Sequence, residues 1–133
     1  MKIFTSLSVI LLCCSTSSYA AEYEFAAGDS KIETKICMAA VTDNTEVMIS
    51  NLKKLSRRGT ALPFASFING FSCNKQYIGN FAKKYHAENS FAYLDKYTNN
   101  WNKKRQSTIT VTDIASEQTL EREGTIVVLV SSY

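Results

Sequence analysis

The sequence predicts an α+β domain whose helical first two-thirds is stapled by one disulfide and whose small antiparallel sheet is formed mainly by C-terminal strands. Three observations carry that expectation. Between residues 30 and 99 apolar residues recur at helical spacing, in runs opened by capping residues and closed by glycine or asparagine. After Trp101 the composition shifts to the β-branched runs Thr108–Thr112 and Ile126–Val130. The chain also begins with an export leader, which places its remaining cysteines in an oxidising compartment.

The leader comes first in the chain. Lys2 supplies its positive end, and Ile3 to Cys14 is apolar apart from Thr5, Ser6 and Ser8. Ser18-Tyr19-Ala20 puts small residues at the two positions that a signal peptidase reads, so cleavage is expected after Ala20. The apolar stretch is shorter than the roughly 20 residues a bilayer span needs. Cys13 and Cys14 lack a lipidation context, because Leu12 precedes one and Cys13 the other where a small residue is required. No later segment is apolar enough to span, so the expected product is periplasmic or secreted, without a transmembrane anchor.

Cleavage leaves residues 21–133 as a single domain. Lys2 departs with the leader, so fourteen basic residues face twelve acidic ones, a formal charge of +2. That neither demands nor excludes an anionic partner. Cys13 and Cys14 depart too, leaving Cys37 and Cys73. An even pair in an oxidising compartment reads as a disulfide, and no Cys-x-x-Cys spacing supports a redox-active pair. Closing the chain between residues 37 and 73 is worth roughly 4 kcal/mol in the chain-entropy description. Against a total stability of about 5–15 kcal/mol, that is a large share.

The elements follow in order. Glu22-Tyr23-Glu24-Phe25 alternates as a short strand with one buried face, broken by Gly28-Asp29. Ser30-Lys31-Ile32-Glu33 has the form of a capping box and opens a helix that carries Ile32, Ile36, Cys37, Ala39 and Ala40. A second helix begins near Thr42-Asp43-Asn44, with Val47, Met48, Leu52 and Leu55 as its apolar stripe. Lys53, Lys54, Arg57 and Arg58 suit the negative end of its dipole, and Gly59 stops it. The two helices form an antiparallel hairpin.

Pro63 stands in the first turn of a short helix, Phe64–Ile68, which Asn69-Gly70 ends. Asn74 is placed to cap a further helix carrying Tyr77, Ile78, Phe81, Ala82 and Tyr85. Asn89 or Ser90 caps one more, with Phe91, Leu94 and Tyr97, and Asn99-Asn100 stops it. Ile126–Val130 reads as a strand buried on both faces, paired with Thr108–Thr112 and covered by helices, with Tyr23–Phe25 on an edge. The polar stretch Ser116–Gly124 between them reads as a helical turn or a strand extension.

Few residues select a chemistry. His86 is the one histidine, at a helix end beside Lys83 and Lys84, and has no partner that the sequence identifies. One histidine and a bridged cysteine pair leave too few ligands for zinc, and no cofactor motif is present. Asp113, Glu117, Glu121 and Glu123 cluster loosely, but nothing singles out a catalytic carboxylate pair. The basic groups have more functional pull: Lys53, Lys54, Arg57 and Arg58; Lys83 and Lys84; and Lys103, Lys104 and Arg105 just after Tyr97 and Trp101. Cations interleaved with aromatics bind anionic polymers through charge and stacking, so Trp101, Lys103, Lys104 and Arg105 form the candidate anionic-ligand surface. In an exported protein the expected ligand is an envelope glycan or an acidic lipid surface, not nucleic acid. The same residues also read as solvated helix ends and a polar linker.

Phe25-Ala26-Ala27-Gly28-Asp29 ahead of the Cys37 helix, and Cys73-Asn74 ahead of Ile78, Phe81, Ala82 and Tyr85, carry a resemblance. On these motifs the chain resembles a family of small exported proteins of gamma-proteobacteria that has no established activity. The resemblance covers residues 22–95 and implies the compartment, the size and the cysteine pair, with residues 101–133 as a C-terminal extension. The chain departs from the family at Lys75, where a glycine is expected. The leading expectation is a binding or accessory module of the bacterial cell envelope, whose partner is an anionic envelope polymer or another envelope protein. The alternatives are a small carboxylate-dependent hydrolase and a secreted inhibitor or effector that docks on a protein.

Overall fold

The helix that carries Cys37 stands at the centre of the molecule. In a computed structural model describing residues 22–59, 62–106, 119–122 and 125–132, α1 (Ile32–Val41) follows β1 (Glu22–Ala27). Ile36, Cys37 and Ala40 are inaccessible to solvent, and Thr34, Ala39 and Val41 are buried with them. The burial is wider than the single packed face expected, because small residues let neighbours approach α1 from several sides. It packs on β1, β5 (Thr125–Val130) and the helices α2 (Thr45–Gly59), α4 (Ile78–Lys84) and α5 (Glu88–Asp95). The remaining elements are α3 (Phe64–Gly70), β2 (Ser72–Cys73), β3 (Gln76–Tyr77), α6 (Asn100–Gln106) and β4 (Thr119–Arg122).

The α+β class holds, with a different sheet. The main sheet has the order β1-β5-β4, in which β1 runs parallel to β5 and β4 antiparallel. A parallel neighbour needs a long crossover, and here the six helices of the described residues lie in the chain between β1 and β5. The antiparallel neighbour comes from the polar stretch before Gly124, as a strand extension, with Leu120 opposite Val127. The run Thr108–Thr112, expected in this place, lies outside the described residues. Tyr23–Phe25 takes the expected edge. Val128 and Val130 are fully buried while Val127 and Leu129 are half-buried, so β5 has one core face rather than two.

Capping also differs from expectation at several helices. Lys31, not Ser30, is the cap residue of α1, and its side chain makes no cap bond. Asp29 closes the turn instead, its Oδ1 accepting the Lys31 amide at 3.0 Å. Asn44 caps α2 by accepting the Val47 amide at 3.2 Å. Asp43 is thereby free to cap another helix. Its carboxylate accepts the Ser90 amide at 2.7 Å and the Asn89 amide at 3.3 Å, with Asn89 Nδ2 donating at 2.7 Å. Thus α5 is capped from the α1–α2 turn and not by Asn89 or Ser90 themselves. Pro63 sits at the cap position of α3, one residue before the first turn.

Both helical hairpins close through left-handed residues. After α1, Asn44 donates to Ala39 O with Asp43 at φ 56°. After α4, Ala87 donates to Ala82 O and His86 to Lys83 O, with His86 at φ 59°. These are Schellman closures without glycine. The sole histidine therefore occupies an exposed turn whose geometry accounts for it.

Cys73 joins the helical and sheet parts. The Cys37–Cys73 disulfide links α1 to β2, and Cys73 also forms an isolated antiparallel bridge with Ser132. Asn74 does not cap a helix. With Lys75 it makes the two-residue turn between β2 and β3, at φ 46° and 63°, and α4 starts only at Ile78. Its side chain is aimed at the end of β5, with Nδ2 donating to Leu129 O at 2.8 Å and Oδ1 accepting the Ser131 amide at 2.7 Å. Lys75 thus occupies a left-handed position that favours glycine.

Three outcomes follow for stability. A Cys73→Ser variant melts roughly 10 °C or more below the wild type, the shift that about 4 kcal/mol produces in a domain of this size; an unchanged thermal melt contradicts a structural bridge. His86→Gly and Lys75→Gly each relieve a left-handed non-glycine residue and raise stability by about 1 kcal/mol, read as a higher Tm. No increase in either counts against the strain assigned to these turns. At Asp43, burial opposes ionisation, but the Ser90 and Asn89 donors outweigh it and hold the carboxyl below its ordinary 3.8. Its contribution is therefore complete above about pH 4 and is lost as the pH falls through the lowered folded value. Urea titrations should show Asp43→Asn less stable than wild type at neutral pH, with the gap closing in acid. A gap that stays constant into strong acid excludes the carboxylate as its source.

Candidate cation-aromatic surface

The residues expected to meet an anionic ligand fall on a helix where a polar linker was the simpler reading. Asn99, read as a helix stop, starts α6 by accepting the Asn102 amide at 2.8 Å. Asn102 points inward and is buried, its Nδ2 donating to Asn69 O at 3.1 Å and to Asn69 Oδ1 at 2.9 Å. Asn69 also accepts the Asn99 amide at 2.9 Å and donates to Tyr97 O at 2.6 Å. One side chain at the end of α3 thereby holds both the start of α6 and the turn before it.

This anchoring determines which way the rest of α6 points. At about 100° per residue, Trp101, Lys104 and Arg105 fall within an arc of about 100°, away from Asn102. All three are exposed, Trp101 at 68%. Lys103 turns to another side and lies 3.9 Å from Asp95 on α5. The structure therefore brings together three of the four expected residues. Lys103 is separated from them by the turn of a helix that Asn102 and Asn69 orient, and serves as a surface ion-pair partner.

The segment just before α6 carries aromatics. Tyr97 packs edge-on to Phe64 at 5.4 Å between centroids and against Tyr93 at the same separation. Burial, with the Tyr97 hydroxyl alongside, pushes the Tyr93 phenol up to about 12, so it stays neutral at any physiological pH. Tyr77 and Thr98 hydrogen-bond at 2.8 Å, and the Thr98 hydroxyl donates to Leu94 O at 3.0 Å. With that proton committed, Tyr77 is the donor of the pair. Burial raises the Tyr77 phenol, and Asp95 adds to the rise. These phenols and hydroxyls before α6 are uncharged, while the exposed face of α6 is cationic.

The other basic groups lie on separate elements. Lys53, Lys54, Arg57 and Arg58 are exposed on α2, while Lys83 and Lys84 on α4 lie 5.4 Å from the ring centroids of Phe91 and Tyr85. Among the described residues no group of three His, Cys, Asp or Glu side chains could hold a metal ion. Of the carboxylates considered for hydrolysis, Glu121 lies in β4, and Asp113, Glu117 and Glu123 are outside the described residues. Among the described residues no helix is long and apolar enough to cross a membrane.

Sequence reasoning missed Asn69, Asn99 and Asn102, which orient the surface. Asn99-Asn100 carried a usable signal, since asparagine both ends helices and begins them. The Asn69–Asn102 contact spans 33 residues and leaves no local trace. Comparison of the chain with protein-family models, with curated proteins and with solved structures finds no match.

Proposed function

We propose that this protein is an exported, disulfide-stapled accessory module of the bacterial cell envelope that binds an anionic polymer through Trp101, Lys104 and Arg105. The observation that carries the reading is the exposure of Trp101, at 68%, on a helix whose next residue, Asn102, is buried and bonded to Asn69. A large aromatic side chain left in water by a well-anchored helix has no packing role in the described fold, and it offers a stacking face. Lys104 and Arg105, one helical turn along, supply positive charge beside that face, where a carboxylate-, sulfate- or phosphate-bearing chain would lie. The Cys37–Cys73 disulfide agrees with folding in an oxidising compartment, as the leader implies.

Trp101 is the only tryptophan of the chain, so intrinsic fluorescence reports directly from the surface. The probe is dextran sulfate, with neutral dextran as control, titrated into the processed protein. Dextran sulfate is expected to shift or quench the emission in about 0.1 M salt and to lose its effect toward about 1 M, where screening shortens from about 10 to 3 Å. Lys104→Gln/Arg105→Gln removes two exposed charge contacts of up to about 1 kcal/mol each and weakens binding roughly tenfold. Emission that ignores dextran sulfate, or responds equally to neutral dextran, overturns the proposal.

A further inference from the structure

The α2 cations remain unused by this reading, and their arrangement differs from that of α6. Lys53, Lys54, Arg57 and Arg58 fall within an arc of about 140° at helical periodicity. That arc lies opposite Met48 and Leu52, which are fully buried, and Leu55, which packs against the core. All four are exposed, and among the described residues none has an ion-pair partner. The acidic residue of the helix, Glu46, stands in its first turn, so opposite charge is kept to the far end. The helix dipole accounts for Arg57 and Arg58 in the last turn but not for Lys53 and Lys54 a turn earlier. The chain then reaches Leu62, one of the few exposed large apolar residues, at 57%. It is four positions after Arg58, so their Cα atoms lie within roughly 15 Å of each other.

We infer that the outer face of α2 is a membrane-contact surface that rests on anionic lipid headgroups, with Leu62 entering the interface beside the cations. Charge complementarity selects the occupant. Four long cationic side chains on a convex helix face match a plane of phosphate groups, and an adjacent exposed leucine gains by entering the interface. This face carries no aromatic platform comparable with Trp101, so stacking on a polymer is not what it offers. The contact is independent of the polymer-binding reading, because the residues are on different elements. Together they would let one small module hold an envelope polymer at the membrane surface.

The test is co-sedimentation of the processed protein, checked by intact mass, with phosphatidylcholine vesicles that contain or lack one-third phosphatidylglycerol. Partitioning is expected only with phosphatidylglycerol. Lys53→Gln/Lys54→Gln and Arg57→Gln/Arg58→Gln should each lower it roughly tenfold or more. Lys53→Arg/Lys54→Arg should retain it, and circular dichroism of every variant confirms the fold. Leu62→Ser weakens partitioning without changing its salt dependence. Lys104→Gln/Arg105→Gln leaves it unchanged, which separates this surface from that of α6. Equal partitioning on neutral vesicles, wild-type behaviour of both glutamine pairs, or loss confined to the α6 variant would overturn the inference.

Discussion

The junction at Cys73-Asn74 is the constraint on which the rest of the architecture depends. Two adjacent residues reach three parts of the chain: Cys73 bonds covalently to α1 and pairs with Ser132, while Asn74 holds Leu129 and Ser131 at the end of β5. Strand β5 is the middle strand of its sheet and contributes Val128 and Val130 to the same core as Ile36, Cys37 and Phe81. The position of the sheet on the helices is fixed by this tight turn together with the packing of β1 and β5 on α1. The end of β5 is secured at the same point. Here its last residues are bonded to a hairpin that a disulfide anchors to the central helix.

Around this junction, polar side chains perform tasks usually left to local caps. Asp43 at the first hairpin turn caps α5 of the second, so each hairpin is braced by the other. Asn69 at the end of α3 holds α6 and the turn before it. Such bonds between distant elements satisfy helix-end groups and set orientation together. The exposed faces of α2 and α6 hold the cations and the exposed tryptophan. Function is read from what the fold leaves over.

Much of this was legible in the sequence, and the failures have specific causes. Helical spacing located α1, α2, α4 and α5 because each presents an apolar stripe, and the cysteine pair followed from the expectation of an oxidising compartment. The β2–β3 hairpin was missed because Asn74-Lys75 lacks the glycine that usually marks such a turn, and because each strand is only two residues long. The direction of β1 was missed because strand pairing between the first and last elements is a long-range outcome with no local signature. Trp101, Lys104 and Arg105 were visible as neighbours, yet without a helix beneath them Lys103 could not be told apart. That distinction rests on Asn102 reaching Asn69 across 33 residues.

The central claim is that the Asn74 side chain fastens the sheet to the helices, and native-state hydrogen exchange on an Asn74→Gly variant tests it most directly. Glycine keeps the left-handed turn and removes only the side-chain bonds to Leu129 and Ser131. The prediction is a selective loss of amide protection at Val128 and Val130, with Met48 and Leu52 of α2 unchanged. Protection retained in β5, or a uniform fall across β5 and α2, would contradict it.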